Sequence, residues 1–133
     1  MSELIVFADL EAAVVSYLKT GLTDLGFTAT VATKVPKTRP SQMVRISGTG
    51  GSRENQITDG SGILVECWAP NEIDASRLAR FTRALVDDME GWVDGVWIED
   101  VGSSPPVAFP DPDIQSPRYQ FTAQLFTLGE VIS

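Results

Sequence analysis

The sequence predicts an α+β domain: a mixed, mainly antiparallel sheet with two helices packed on one face. Three observations lead there. Two segments carry apolar residues at steps of three and four, the period of a helix face. Five others are short and rich in β-branched residues or alternate between apolar and polar. The order is helix, three strands, helix, two strands, so the helices do not alternate strictly with strands as an all-parallel sheet requires.

The elements follow in chain order. Residues 2–8 read either as a short strand-like arm or as an early helical turn. Asp9 is placed to cap a first helix by accepting from free backbone N–H groups. Leu10, Ala13, Val14, Tyr17, Leu18, Leu22 and Leu25 form its inner stripe, and Gly26 supplies the left-handed stop. Residues 28–35 read as a strand, and Pro36 and Pro40 bracket a basic turn. Residues 43–47 form a second strand, with Val44 and Ile46 on one side and Met43 and Arg45 on the other. Residues 47–62, rich in glycine and serine, read as a long flexible connection. In the strand 63–68, Ile63, Val65 and Cys67 oppose Leu64, Glu66 and Trp68. Asn71 caps a second helix whose inner stripe is Ala75, Leu78, Thr82, Leu85 and Met89, and Gly91 ends it. Arg77, Arg80 and Arg83 ride its outer side, with Arg83 one turn from Asp87. Residues 96–101 form a further strand. Residues 102–117 hold five of the eight prolines and read as a second long loop. The strand 118–128 closes the chain, with Tyr119, Phe121, Ala123 and Leu125 on one face.

At 133 residues the chain is one domain, 1–133, large enough to fold on its own core. Apolar runs of only a few residues predict no membrane-spanning helix and no membrane partner. The acid Glu3 and the lack of a basic opening predict no secretory signal. There is no histidine, which removes the commonest general base and metal ligand. The single cysteine, Cys67, has no sequence partner for a disulfide and sits mid-strand, so it reads as a core thiol. Asp111 and Asp113 fall short of a calcium ligand set, and the glycine stretch at 48–51 lacks the Gly-Lys-Ser/Thr of a phosphate loop. These readings predict no enzyme, no metal and no cofactor.

The net charge of −8 is unevenly spread. Residues 1–83 hold nine acids and nine bases; residues 84–133 hold nine acids and one base, Arg118. Between Asp24 and Glu54 there are only bases: Lys34, Lys37, Arg39, Arg45 and Arg53. Between Arg83 and Arg118 there are only acids. Such segments are either ordinary solvated surface or complementary patches that orient one copy against the next. An isoelectric point near 4.3 disfavours duplex nucleic acid as a bound partner.

Several stretches resemble a known family. They are the opening Phe7-Ala8-Asp9-Leu10-Glu11-Ala12-Ala13, the glycine-rich segment with Arg53, and the strand Ile63-Leu64-Val65-Glu66-Cys67-Trp68-Ala69. The helix with Ala75, Leu78, Ala79, Arg83 and Leu85 and the closing Pro117-Arg118-Tyr119-Gln120-Phe121-Thr122 complete them. Together, over residues 7–128, they resemble the tail terminator proteins of phages with long non-contractile tails and of related actinobacterial prophages. The resemblance implies a virion structural protein, assembled in the host cytoplasm, that forms a homo-hexameric ring on the tail tube. It implies three partners: further copies of the chain, the tail tube protein whose polymerisation it stops, and the head–tail connector. DNA would pass the lumen without specific binding. Another neck, head-closure or tube-like subunit, or a small ligand-binding domain, is the alternative. For a ring, Arg45, Arg53, Arg77 and Arg80 are expected to meet Glu99, Asp111 or Asp113 of the next copy; the alternative is that they are solvated or paired within the chain. Asp87, Asp88, Asp94, Glu99 and Asp100 are the pool for an acidic lumen.

Overall fold

The sheet is built around the long strand near the end of the chain, 118–128, which has the bounds that the sequence predicts. In the computed structural model, which describes residues 3–132, β8 (Arg118–Leu128) is paired on both sides. On one side it runs antiparallel to β4 (Thr58–Trp68) over its full length, from Thr58 opposite Leu128 to Trp68 opposite Arg118. On the other it pairs with β6 (Val96–Ser103) and then with β7 (Val107–Ala108). Outward from β4 lie β3 (Met43–Arg53) and the edge strand β2 (Thr30–Ala32); outward from β6 lies β5 (Gly91–Val93). The order is β2-β3-β4-β8-β6-β5, and β2–β3 is the parallel pairing in it. The expected mixed, mainly antiparallel sheet is therefore present.

Both helices lie on one face, as expected. In α1 (Leu10–Asp24), the Asp9 side chain accepts from the Ala12 N–H at 3.1 Å, and Gly26 takes φ +89° just beyond the C-terminal turn. Ala13, Val14, Leu18 and Leu22 are buried. In α2 (Glu72–Asp87), Asn71 accepts from the Asp74 N–H at 2.9 Å, while Asp74 places its charge in the first turn, where the helix dipole favours it. Ala75, Leu78, Ala79, Thr82 and Val86 face inward. These side chains meet Val44 and Ile46, Ile63, Val65 and Cys67, and Phe121, Ala123 and Leu125, one residue in two along each strand. Each buried Leu or Ile contributes about 1.5–3 kcal/mol. Asp9→Ala removes a cap without touching this core; we expect it to lower unfolding free energy by about 1 kcal/mol in urea titrations.

Four segments differ from the sequence reading. Residues 47–62 are not a loop: β3 continues to Arg53 and β4 starts at Thr58, leaving a short turn. Glycines there let the strands approach, and Gly50, at φ +91°, takes up a bulge where the register shifts. Residues 102–117 are only partly a loop. Gly102 and Ser103 finish β6, and β7 resumes the same edge of β8 after Pro105 and Pro106, which have no N–H to give. The strand expected at 28–35 shrinks to three residues. Finally, Gly91 both ends the helical segment and opens β5, which makes a hairpin with β6 through Asp94 (φ +49°) and Gly95 (φ +81°). Two positive φ values are the mark of a type I′ turn, and Asp-Gly suits it. Of the arm read at 2–8, Ile5–Val6 is β1, paired with β9 (Glu130–Val131); Ser2 lies outside the described residues.

Candidate assembly surfaces

The two charged segments end at opposite edges of the sheet. The basic segment leaves β2 at one edge as residues 33–42 and returns through β3. Much of the acidic segment surrounds the β5–β6 hairpin at the other edge, where Asp94, Glu99 and Asp100 are all exposed.

The arginines named for a subunit contact have work inside the chain. On the sheet face away from the helices, Glu66 of β4 is buried, its side chain 8% exposed. Arg118 lies diagonally across on β8 and donates to Glu66 Oε2 at 2.9 Å and to Asp111 Oδ2 at 3.5 Å. Arg45 of β3 stands 3.8 Å from the same carboxylate and donates to the Thr33 carbonyl. Arg45 and Asp111 thus belong to one four-membered ionic cluster centred on Glu66 and Arg118. Trp68, buried beside it, has the Arg39 guanidinium 4.9 Å and that of Arg118 5.7 Å from its ring centre. Residues 33–42 and 109–117 fold over this end of the sheet, which is why Met43 and Trp68 are buried on a face the helices do not cover.

The remaining candidates divide between tethered and free. Arg53 donates to the Asn55 and Gln56 carbonyls and so closes the β3–β4 turn, with Phe7 6.0 Å away. Arg77 lies against Phe27 and Phe81, about 4.7 and 4.8 Å from their centres. Arg80, exposed, makes a 3.4 Å contact to Ser76 on its own helix. Glu99 accepts from the Trp97 indole N–H at 3.0 Å, and Asp113 gives its backbone N–H to Asp111. Asp87 accepts from Ser103 at 2.6 Å and pairs with Arg83 at 3.8 Å. Asp100 accepts from the Val101 N–H at 2.9 Å. Asp88 sits beside Tyr17, whose hydroxyl is held above its ordinary pKa by burial first and by that carboxylate second.

Sequence reasoning named neither Glu66 nor Arg118 for a site, nor the Trp92–Trp97 pair. The alternation of β4 puts Glu66 beside Trp68 on the face opposite Ile63, Val65 and Cys67, so its need for a cation is readable. Which cation is not, because Arg118 is 52 residues away and reaches it only through the β4–β8 register. Trp92 and Trp97 were readable outright as cross-strand neighbours of an Asp-Gly hairpin.

Cys67 is fully buried, and burial pushes its thiol up to about 12, against a smaller opposing effect of a hydrogen bond with Thr82. A thiol so placed is protonated and unreactive at neutral pH. We expect no modification by a thiol reagent in the native state and one equivalent after denaturation. A folded-state pKa above the unfolded one means the stabilisation is complete below pH about 9 and is lost as pH rises toward about 12. Raised Tyr17 acts in the same direction, so unfolding free energy should fall across that alkaline window, measured by urea titration at each pH.

The chain matches no protein-family model, and no curated protein matches it. Among the described residues no helix is long and apolar enough to cross a membrane.

Proposed function

We propose that this chain is a ring-forming structural subunit of the tail terminator type, seated on the head-proximal end of a tail tube. The observation that carries the reading is the polarity of the sheet. One edge ends in a cationic segment and the opposite edge in a carboxylate-rich hairpin. Two unlike, complementary patches on one protomer make a head-to-tail contact, which closes into a ring when the rotation suits. The sequence resemblance over residues 7–128 supports the same reading and supplies the tube and connector as further partners.

The in-chain cluster around Glu66 shifts the subunit contact away from Arg45 and Asp111, which already have partners. Arg53→Glu, a natural charge-reversal test, would disturb its own turn before it disturbed a neighbour. A cleaner test adds the purified chain to polymerising tube subunits and measures tube length by electron microscopy. Tubes capped by an annulus and halted at shorter lengths as the chain is titrated in are the expected result. Tubes of unchanged length, or long tubes formed by this chain alone, would overturn it; the second would make it a tube subunit. In an annulus, Asp100, exposed and bound to the adjacent Val101 N–H, is an acid of that pool free to face a lumen. Asp87 is engaged by Ser103 and Arg83.

A further inference from the structure

The β5–β6 hairpin exposes a tryptophan that the fold does not use. Trp92 is 73% exposed and stands edge-to-face against its cross-strand neighbour Trp97, ring centres 5.3 Å apart. Beside them opens a groove of about 610 Å³, walled by Val6, Ala8, Val96, Leu128 and Gly129. Its rim is acidic. Glu130 lines it, Asp94 sits at the hairpin turn next to Gly95, and Glu99 holds the Trp97 indole. Among the described residues none of these three carboxylates has an ion-pair partner. An apolar, aromatic groove rimmed by unpaired acids fits an extended segment that carries lysine and proline.

The chain has one such segment. Residues 33–38, Thr-Lys-Val-Pro-Lys-Thr, contain no acid, and Lys34 and Lys37 are exposed without ion-pair partners among the described residues. From Lys34 to Ser41 the backbone makes no backbone–backbone hydrogen bond among the described residues, so its donors and acceptors are free. Pro36 holds the middle extended, and Arg39 anchors the far end on Trp68. This segment leaves β2, the strand at the opposite edge from β5. The two are five strand spacings apart along the sheet, about 24 Å, so the segment does not serve its own groove.

We propose that the Trp92–Trp97 groove receives residues 33–38 of a second copy of this chain, head to tail. Lys34 and Lys37 meet Asp94, Glu99 and Glu130, and Pro36 lies against the indoles. The proposal deepens the ring reading and rests on it for the identity of the occupant.

Two measurements on the full chain test it. Lys37→Cys and Asp94→Cys variants are mixed under mild oxidation at millimolar protein, with buried Cys67 contributing no background. The mixture is expected to give a cross-linked heterodimer that neither variant gives alone, and the doubly substituted chain a ladder of higher oligomers. Adding Trp92→Ala to the Asp94→Cys chain should lower the yield about tenfold. In the second measurement, Lys34→Glu/Lys37→Glu is expected to abolish self-association in sedimentation. Association should return on mixing with Asp94→Lys/Glu130→Lys, each variant first shown to be folded by circular dichroism. Homodimers as abundant as heterodimers, or self-association indifferent to both charge reversals, would overturn the proposal. Annuli that cap tubes but survive both reversals would sink this surface and leave the ring reading standing, the groove then serving the tube or connector. Head-to-tail ladders with tubes of unaltered length would sink the terminator reading and leave this surface standing.

Discussion

Arg118→Ala is expected to lower the unfolding free energy by about 3–5 kcal/mol, the range for removing one partner of a buried ion pair. Its side chain is 12% exposed and serves three acceptors at once: Glu66 at 2.9 Å, Asp111 at 3.5 Å and the Phe109 carbonyl at 2.8 Å. It also fills the space between the Trp68 and Phe109 rings, 5.7 and 5.2 Å from their centres. Truncation leaves Glu66 out of water with Arg45 alone, 3.8 Å away and itself far more exposed. It also unpins residues 109–117 from the sheet. Arg118→Lys keeps the charge but loses the planar fork and the stacking, so it should recover only part of the stability. Arg83→Ala is the contrast. Arg83 pairs with Asp87 one turn on and donates to the Ser103 hydroxyl and carbonyl, all from a partly exposed side chain, so its loss should cost about 1–2 kcal/mol. Urea titration of the three variants ranks them. A loss from Arg118→Ala no larger than that from Arg83→Ala would show the cluster to be solvated rather than structural.

This cluster also marks how far the sequence could be read. Local periodicity carried the two helices with their caps, Asp9 and Asn71, and the faces of β4 and β8, because each of those signals lies within a few residues. It failed where the deciding contact was distant. The glycines of 47–62 are permissive by themselves and read as a loop. They become strand only because β8 supplies partners along the whole of β4, and β4 in turn along β3. Likewise Val107 and Ala108 are strand only because β8 offers an open edge beyond Ser103. The charge segregation was legible, but not which charges were already satisfied. Arg45 and Asp111 are satisfied through Glu66 and Arg118, while Lys34, Lys37, Asp94 and Glu130 have no ion-pair partner among the described residues. The candidate surface therefore moves from arginines on the sheet to a lysine-bearing loop and a tryptophan hairpin.

Gly51→Val tests the part of the fold that the sequence concealed. In β3, Gly51 faces Ser61 of β4, and a Cβ built there runs into the Gly60 carbonyl oxygen, with the Ser61 Cα 3.0 Å away. These are backbone atoms of a strand held on its far side by β8, so they cannot swing aside as a side chain could. Valine would therefore peel the end of β3 away from β4 or slip its register, at a cost of about 3 kcal/mol or more. The damage should be local. Amide exchange is expected to rise at residues 50–53 and to stay slow across β4–β8, whose ladder does not involve Gly51. Gly102→Ala is the control, since its Cβ would meet nothing within 4 Å and its φ is ordinary; it should stay within about 0.5 kcal/mol of the parent. If both substitutions were equally mild, residues 47–62 would be the flexible connection that their composition suggests. The two-strand arm would then be no fixed part of the sheet. If Gly51→Val alone is severe, the glycines are there to let two backbones meet, and the arm is a rigid element that a neighbouring subunit can be set against.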